Sequence, residues 1–232
     1  MKVTLTRLIE NPVEAIEEAA SNCYDSIPTG GKIMNHCYQS GHHSVLEFAH
    51  FTFHIEGVSR ALSHQLVRHR MASYAQRSQR YCEEDGFDFV VPPSIKPNSE
   101  AWDTYFDLMA QIEETYDILK NECHILPEDA RMVLPNACYT TIEVSMNGRE
   151  LIHFCNERMC SRAQWEIREL ANLMAAAVKE HDEQCAQFAK YLVPKCEAKG
   201  LEFAICPEAK PCKERHHPRL KDIFKKLSVD KS

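Results

Sequence analysis

The chain has 232 residues, 44% hydrophobic and 26% charged, with a net charge of −7. These values are ordinary for a soluble globular protein and fit a single domain over residues 1–232, with a C-terminal tail from about residue 195. The acidic balance argues against a nucleic-acid partner. No apolar run reaches the length of a membrane span, and MKVTLTRLIENP has no signal-peptide stretch, so a cytoplasmic location without a membrane partner is expected.

In chain order, Asn11-Pro12-Val13-Glu14 reads as an N-cap, a proline at the first helical position and a glutamate reaching back, opening a helix to about residue 24. A second helix is expected over Lys32–Gln39, ending at Gly41. Residues 47–55 (EFAHFTFHI) are aromatic-rich and partly alternating, which suits a strand. Residues 58–70 have a helical period. Gln65 and His64 lie three and four positions before Arg68, so each pair can share a surface. Residues 71–81 read as an irregular polar segment.

Residues 87–91 read as a short strand stopped by Pro92-Pro93, and residues 98–123 as a long amphipathic helix. Residues 127–133 form a short helix with acidic residues in its first turn, and residues 137–146 a second strand. Asn147 then caps a helix, with Glu150 completing the capping box. Ser161-Arg162-Ala163-Gln164 repeats the box and opens a final helix to about residue 191. The sum is an α+β chain in which long helices outweigh a small, mostly antiparallel sheet.

Eleven cysteines, an odd count at scattered spacings with no CxxC, argue for reduced thiols. Cys196, Cys206 and Cys212, followed by His216 and His217, miss the usual zinc spacings, so a solvated tail with free thiols is expected. His43, His50, His54 and His64, beside His42 and His69, span different elements and contain no HExxH. No metal site is expected.

The arginines are the more telling residues. Residues 33–95 and residues 121–178 each hold five arginines and no lysine, ten of the thirteen in the chain. Guanidinium forks bind carboxylate or phosphate bidentately and stack on flat rings, which an ammonium does less well. Two distant segments are therefore expected to supply one anion site in an acidic chain. The densest cluster is Arg68-His69-Arg70, seven residues, then Ser78, with Arg80 and Tyr81 just behind. No cysteine lies between Cys37 and Cys82.

The RHR, seven residues, Ser pattern, here RHRMASYAQRSQRY, resembles the signature of flavin-dependent thymidylate synthases, the ThyX family. GHHSVLEFAHFTFHIEG, LPEDARMVLP, NGRELIHF and ERMCSRAQWEI resemble other blocks of that family in the expected order. The resemblance implies a methyltransferase of nucleotide biosynthesis that converts dUMP to dTMP. Methylenetetrahydrofolate supplies the carbon, FAD is the hydride-carrying cofactor, and NADPH or NADH reduces it, with no cysteine nucleophile. It also implies a homotetramer with sites shared between subunits.

Carried over residue by residue, the resemblance places His42, Ser44, Arg68, His69, Arg70, Gln76, Asn147, Arg149 and His153 at FAD. It places Gln65, Arg68, Gln76, Ser78, Arg80, Arg131 and Arg158 at dUMP. Arg158 and Ser78 are its catalytic candidates. Arg158 would sit beside the N3 and O2 edge of the pyrimidine, stabilising negative charge in the ring. Ser78 reads as a positioning hydroxyl, since no activating base is evident near it in the sequence. Ala75 and Gln76 stand where many members have Asn and Glu, His153 where Asn is frequent, and Arg162 where His is frequent. None removes a group that the chemistry must have.

Overall fold

The computed structural model describes residues 1–198. Cys206, Cys212, His216 and His217 of the tail lie outside the described residues. The elements are β1 (Lys2–Leu8), α1 (Pro12–Tyr24), α2 (Lys32–Gln39), β2 (His50–Ser59), α3 (Arg60–Leu66), β3 (Ala72–Gln76), α4 (Ser99–Asp117), α5 (Pro127–Ala130), β4 (Tyr139–Asn147), α6 (Gly148–Arg158), α7 (Trp165–Lys179) and α8 (Glu183–Phe188). The strands form one four-stranded sheet in the order β1-β2-β4-β3. Thr52 donates to Ser145, and His54 pairs with Glu143, so numbering rises along β2 as it falls along β4. The small, mostly antiparallel sheet among longer helices is the expected α+β architecture. No helix among the described residues is long and apolar enough to cross a membrane.

The chain divides into two compact units. The first contains Met1–Arg7 and Thr52–Ser145, the second Leu8–Phe51 and the residues from Met146 onward. In the first unit, β4 alternates strictly. Thr140, Ile142 and Val144 are buried while their neighbours are half-exposed, the period expected of a strand with one face on a core. A separate apolar cluster of Phe87, Met109 and Cys138, with Phe89, Tyr105, Ile112 and Leu134 against it, anchors α4.

In the second unit α1, α6, α7 and α8 pack around Ile16, Leu46, Phe154, Leu170 and Phe188, all fully buried. Phe51 meets Phe188 at 5.0 Å between ring centroids. Glu17, also fully buried, fixes the link between α1 and α2. Its carboxylate accepts from the backbone N–H groups of Thr29, Gly31, Ile33 and Met34 at 2.6–3.2 Å. Burial pushes this carboxyl up, but the four N–H donors outweigh it and hold it below the ordinary carboxylate value.

Several elements differ from the sequence-based expectations for local reasons. Asn11 is left-handed (φ 51°) and makes no side-chain cap. Gln184 caps α1 instead, its Oε1 accepting from Val13 and Glu14 at 3.1 and 3.2 Å. Residues His43–Phe48 form a 3-10 turn, so β2 starts at His50 and runs on to Ser59. Residues 72–76, expected to be irregular, are strand β3. Alternating half-buried and exposed positions replace an apolar stripe there, and polarity hides the period. β1 was not among the expected elements. The final helix breaks after Lys179 and restarts at Glu183, where Asp182 accepts from the Cys185 N–H at 2.8 Å. Gln164, not Ser161, caps α7.

Candidate active site

The first unit carries Gln65, Arg68, His69, Arg70, Gln76, Ser78, Arg80 and Arg131. Ser59 caps α3 by accepting from the Leu62 N–H at 2.9 Å. The helix then tightens, as the Arg68 and His69 N–H groups donate to the Gln65 and Leu66 carbonyls three residues back. The Tyr74 hydroxyl of β3 lies 2.9 Å from the Leu66 carbonyl and 2.7 Å from the His69 carbonyl, clamping the turn between them. His69 is buried while Arg68 and Arg70 are exposed. These two arginines make no salt bridge with the described residues. The turn therefore presents two guanidinium groups outward with their charge uncompensated by a neighbouring carboxylate, the disposition required to receive an anion.

Gln76 faces the other way. Its Nε2 donates to Ser63 Oγ at 3.0 Å and Thr140 Oγ1 at 3.1 Å, joining β3 to α3 and β4. Ser63 spends its own hydrogen on the Arg60 carbonyl, so it accepts from Gln76, and a donor is the chemistry needed there. Arg77 is structural. It pairs with the nearly buried Glu84 at 3.2 Å and donates to the Glu83 carbonyl.

Ser78 opens a turn. Its Oγ accepts from the Arg80 N–H at 3.2 Å, and its carbonyl from Cys82. Arg80 then meets α5. Both its Nε and Nη2 reach Glu128 Oε2, at 3.0 and 2.9 Å, and its guanidinium lies 5.3 Å from the Tyr81 ring centre. The Glu128 carbonyl accepts from Arg131 Nε at 3.0 Å. One arginine from each lysine-free window thus converges on a single residue.

The second unit carries His42, Ser44, Asn147, Arg149, His153 and Arg158. His42 and Ser44 are exposed at the start of the 3-10 turn. His43 between them stacks on Tyr38 and contacts its carbonyl at 3.0 Å. Asn147 caps α6, accepting from the Glu150 N–H at 2.8 Å. Arg149 in the first turn is exposed and its Nη1 is held by Glu47 Oε1 at 2.7 Å. His153 follows one turn later on the same side, and Arg158, half-buried, ends the helix. Glu150 is buried. Burial pushes its carboxyl up, and His153 opposes this. Exposed Arg149 on α6 and exposed Ser44 on the 3-10 turn are donors suited to an anionic or carbonyl-rich ligand.

The cysteines of the described residues are all free. Cys138, in the first unit, is buried, and burial pushes its thiol up to about 11, far from a nucleophilic thiolate.

The family model for the thymidylate synthase complementing protein matches residues 4–182. A flavin-dependent thymidylate synthase of Geobacter sulfurreducens is 45% identical, covering 77% of this chain and 82% of that one. That of Pyrococcus furiosus is 40% identical over 90% of both, and that of Clostridium tetani 37% identical over 84% and 88%. The chain belongs to the flavin-dependent thymidylate synthase family. Among solved structures, the Helicobacter pylori flavin-dependent thymidylate synthase complexed with FAD and dUMP superposes with a TM-score of 0.63 at 25% identity, covering 76% of this chain and 93% of that one.

Membership of the flavin-dependent thymidylate synthases puts the arginine turn in context. Within each unit the structure brings together residues far apart in sequence, Arg80 with Arg131 at Glu128 and Arg149 with Glu47. Two residues that hold these arginines carry no signal in the sequence: Tyr74 clamps the arginine turn and Glu47 holds Arg149. Glu128, three positions before Arg131, is a sequence neighbour of that arginine; its carboxylate takes Arg80 and its backbone carbonyl takes Arg131.

Proposed function

We propose that this chain converts dUMP to dTMP by reductive methylation, taking the carbon from methylenetetrahydrofolate and using FAD that NADPH or NADH reduces. The observation that carries the reading is the clamped turn after α3, which displays Arg68 and Arg70 on either side of buried His69. The residues present fit FAD. Exposed Arg68 and Arg70 in the first unit, and exposed Ser44 and Arg149 in the second, offer cationic and hydroxyl donors for a diphosphate and for the carbonyls of a flavin ring. When bound, the flavin supplies the hydride.

The rest of the chemistry is assigned to the chain's side chains. Arg68, His69, Arg70, His42, Ser44, Asn147, Arg149 and His153 hold the flavin. Gln65 and Arg68 orient the nucleotide base, while Ser78, Arg80 and Arg131 hold its phosphate. Gln76 acts at both ligands through the backbone of β3 that it pins. Arg158 places fixed positive charge at the pyrimidine edge, stabilising negative charge as C5 becomes nucleophilic. Buried Cys138, whose thiol burial pushes up, is not a candidate nucleophile for this reaction.

Assembly as a homotetramer with sites shared between subunits follows the family expectation. Met71, Tyr81 and Met132, 67%, 80% and 80% exposed near the arginines of the first unit, support it. The free thiols support a reducing, cytoplasmic setting. The test is spectroscopic. The purified protein takes up FAD, and adding dUMP shifts the flavin absorbance. Failure to bind added FAD would contradict the assignment.

A further inference from the structure

We infer that Glu128 is a resident counter-anion at the phosphate site, holding Arg80 and Arg131 ready and giving way when the substrate's phosphate arrives. This rests on the proposed function, which assigns those arginines to dUMP. The geometry is specific. The side edge of the Arg80 guanidinium, Nε and Nη2, presents two parallel N–H groups suited to an anion with two oxygens. In the structure both donors converge on one oxygen, Glu128 Oε2, at 3.0 and 2.9 Å. The fork is filled by half of its natural partner.

The same residue orients the second cation through a different group. The Glu128 carbonyl takes Arg131 Nε at 3.0 Å, and no carboxylate of the described residues pairs with the terminal nitrogens of Arg131. The carboxylate thus faces Arg80 alone, while Arg131 is oriented through the backbone and keeps its terminal nitrogens free of a carboxylate partner among the described residues. The Arg80–Glu128 pair is half-exposed, with side chains 51% and 42% accessible. Such a pair is weak and exchanges readily. The Tyr81 ring beside Arg80 keeps the guanidinium in place when the carboxylate leaves. A phosphate contributes two oxygens to the fork, and its charge then disfavours the displaced carboxylate nearby. Glu128 is therefore a positioning residue that lowers phosphate affinity and keeps the fork from collapsing onto other acids.

The test uses the FAD-loaded full chain. Calorimetric titrations with dUMP, deoxyuridine and inorganic phosphate compare the wild type with Glu128→Gln, which keeps the size and the backbone carbonyl but removes the charge. The variant is expected to bind dUMP and inorganic phosphate about two- to fivefold more tightly. Deoxyuridine affinity and FAD affinity should not move, and KM for dUMP should fall. Glu128→Ala, which also retains the carbonyl that orients Arg131, should change in the same direction. Unchanged or weaker phosphate binding in variants that melt with the wild type overturns the inference. If the wild type binds no dUMP, the proposed function fails separately, and the inorganic phosphate titration still decides the role of Glu128.

Discussion

In the first unit the residues assigned to ligands sit on turns between short elements, and side-chain bonds hold them. Tyr74 clamps the arginine turn, Gln76 ties β3 to two hydroxyls, and Glu128 collects Arg80 and Arg131. In the second unit Asn147 and Arg149 sit at one helix start, and close backbone packing holds it. Gly148 donates its N–H to the Ala49 carbonyl at 2.8 Å, and a Cβ added there would meet the Leu46 carbonyl oxygen at 2.7 Å and the Phe188 ring at 3.0 Å. The difference implies two kinds of sensitivity. Changes in the first unit should alter ligand binding at modest cost in stability, while changes in the second should lower stability first.

Substitutions in each unit break or sharpen that contrast. Gly148→Ala forces a methyl group against an immovable carbonyl and is expected to destabilise the protein by about 3 kcal/mol, read by chemical denaturation. A cost near zero would show that the α6 start is loosely packed.

Glu17→Gln removes a carboxylate that four backbone donors share and is expected to cost about 2 kcal/mol at neutral pH. The sign with pH follows from the lowered pKa. The carboxylate's contribution is present above the unfolded-state value and is lost as pH falls through the lower folded value. The stability gap between wild type and variant should therefore narrow in acid. A gap that widens would contradict the assignment of the ionised form to the native state.

Tyr74→Phe, in the first unit, removes only a hydroxyl and is expected to cost about 1 kcal/mol of stability, while weakening FAD binding severalfold through the loosened arginine turn. Full FAD affinity in this variant would show that the turn needs no clamp.

The sequence made much of this legible, for physical reasons. Lys32–Gln39, and the short helix after Leu126 with Pro127 at its start and acidic residues in its first turn, appear where expected. The two lysine-free windows mark where the arginines cluster, but they do not tell Arg77, which is tied to buried Glu84, from Arg80, which pairs with half-exposed Glu128. That distinction depends on which acid folds back against which arginine. β3 was hidden because its half-buried face uses Ala72, Tyr74 and Gln76 rather than an apolar stripe. The cap of α1 was hidden because Gln184 lies more than 170 residues away in the chain. Such long-range side-chain-to-backbone bonds leave no local pattern.

The most direct test of the account is dTMP formation from dUMP by the FAD-loaded protein, supplied with methylenetetrahydrofolate and NADPH, for the wild type and Arg158→Ala. The account predicts turnover by the wild type, and a variant that binds FAD normally but turns over about 10²–10³-fold more slowly. No dTMP from a flavin-loaded wild type would contradict the function, and undiminished turnover in the variant would contradict the role of Arg158.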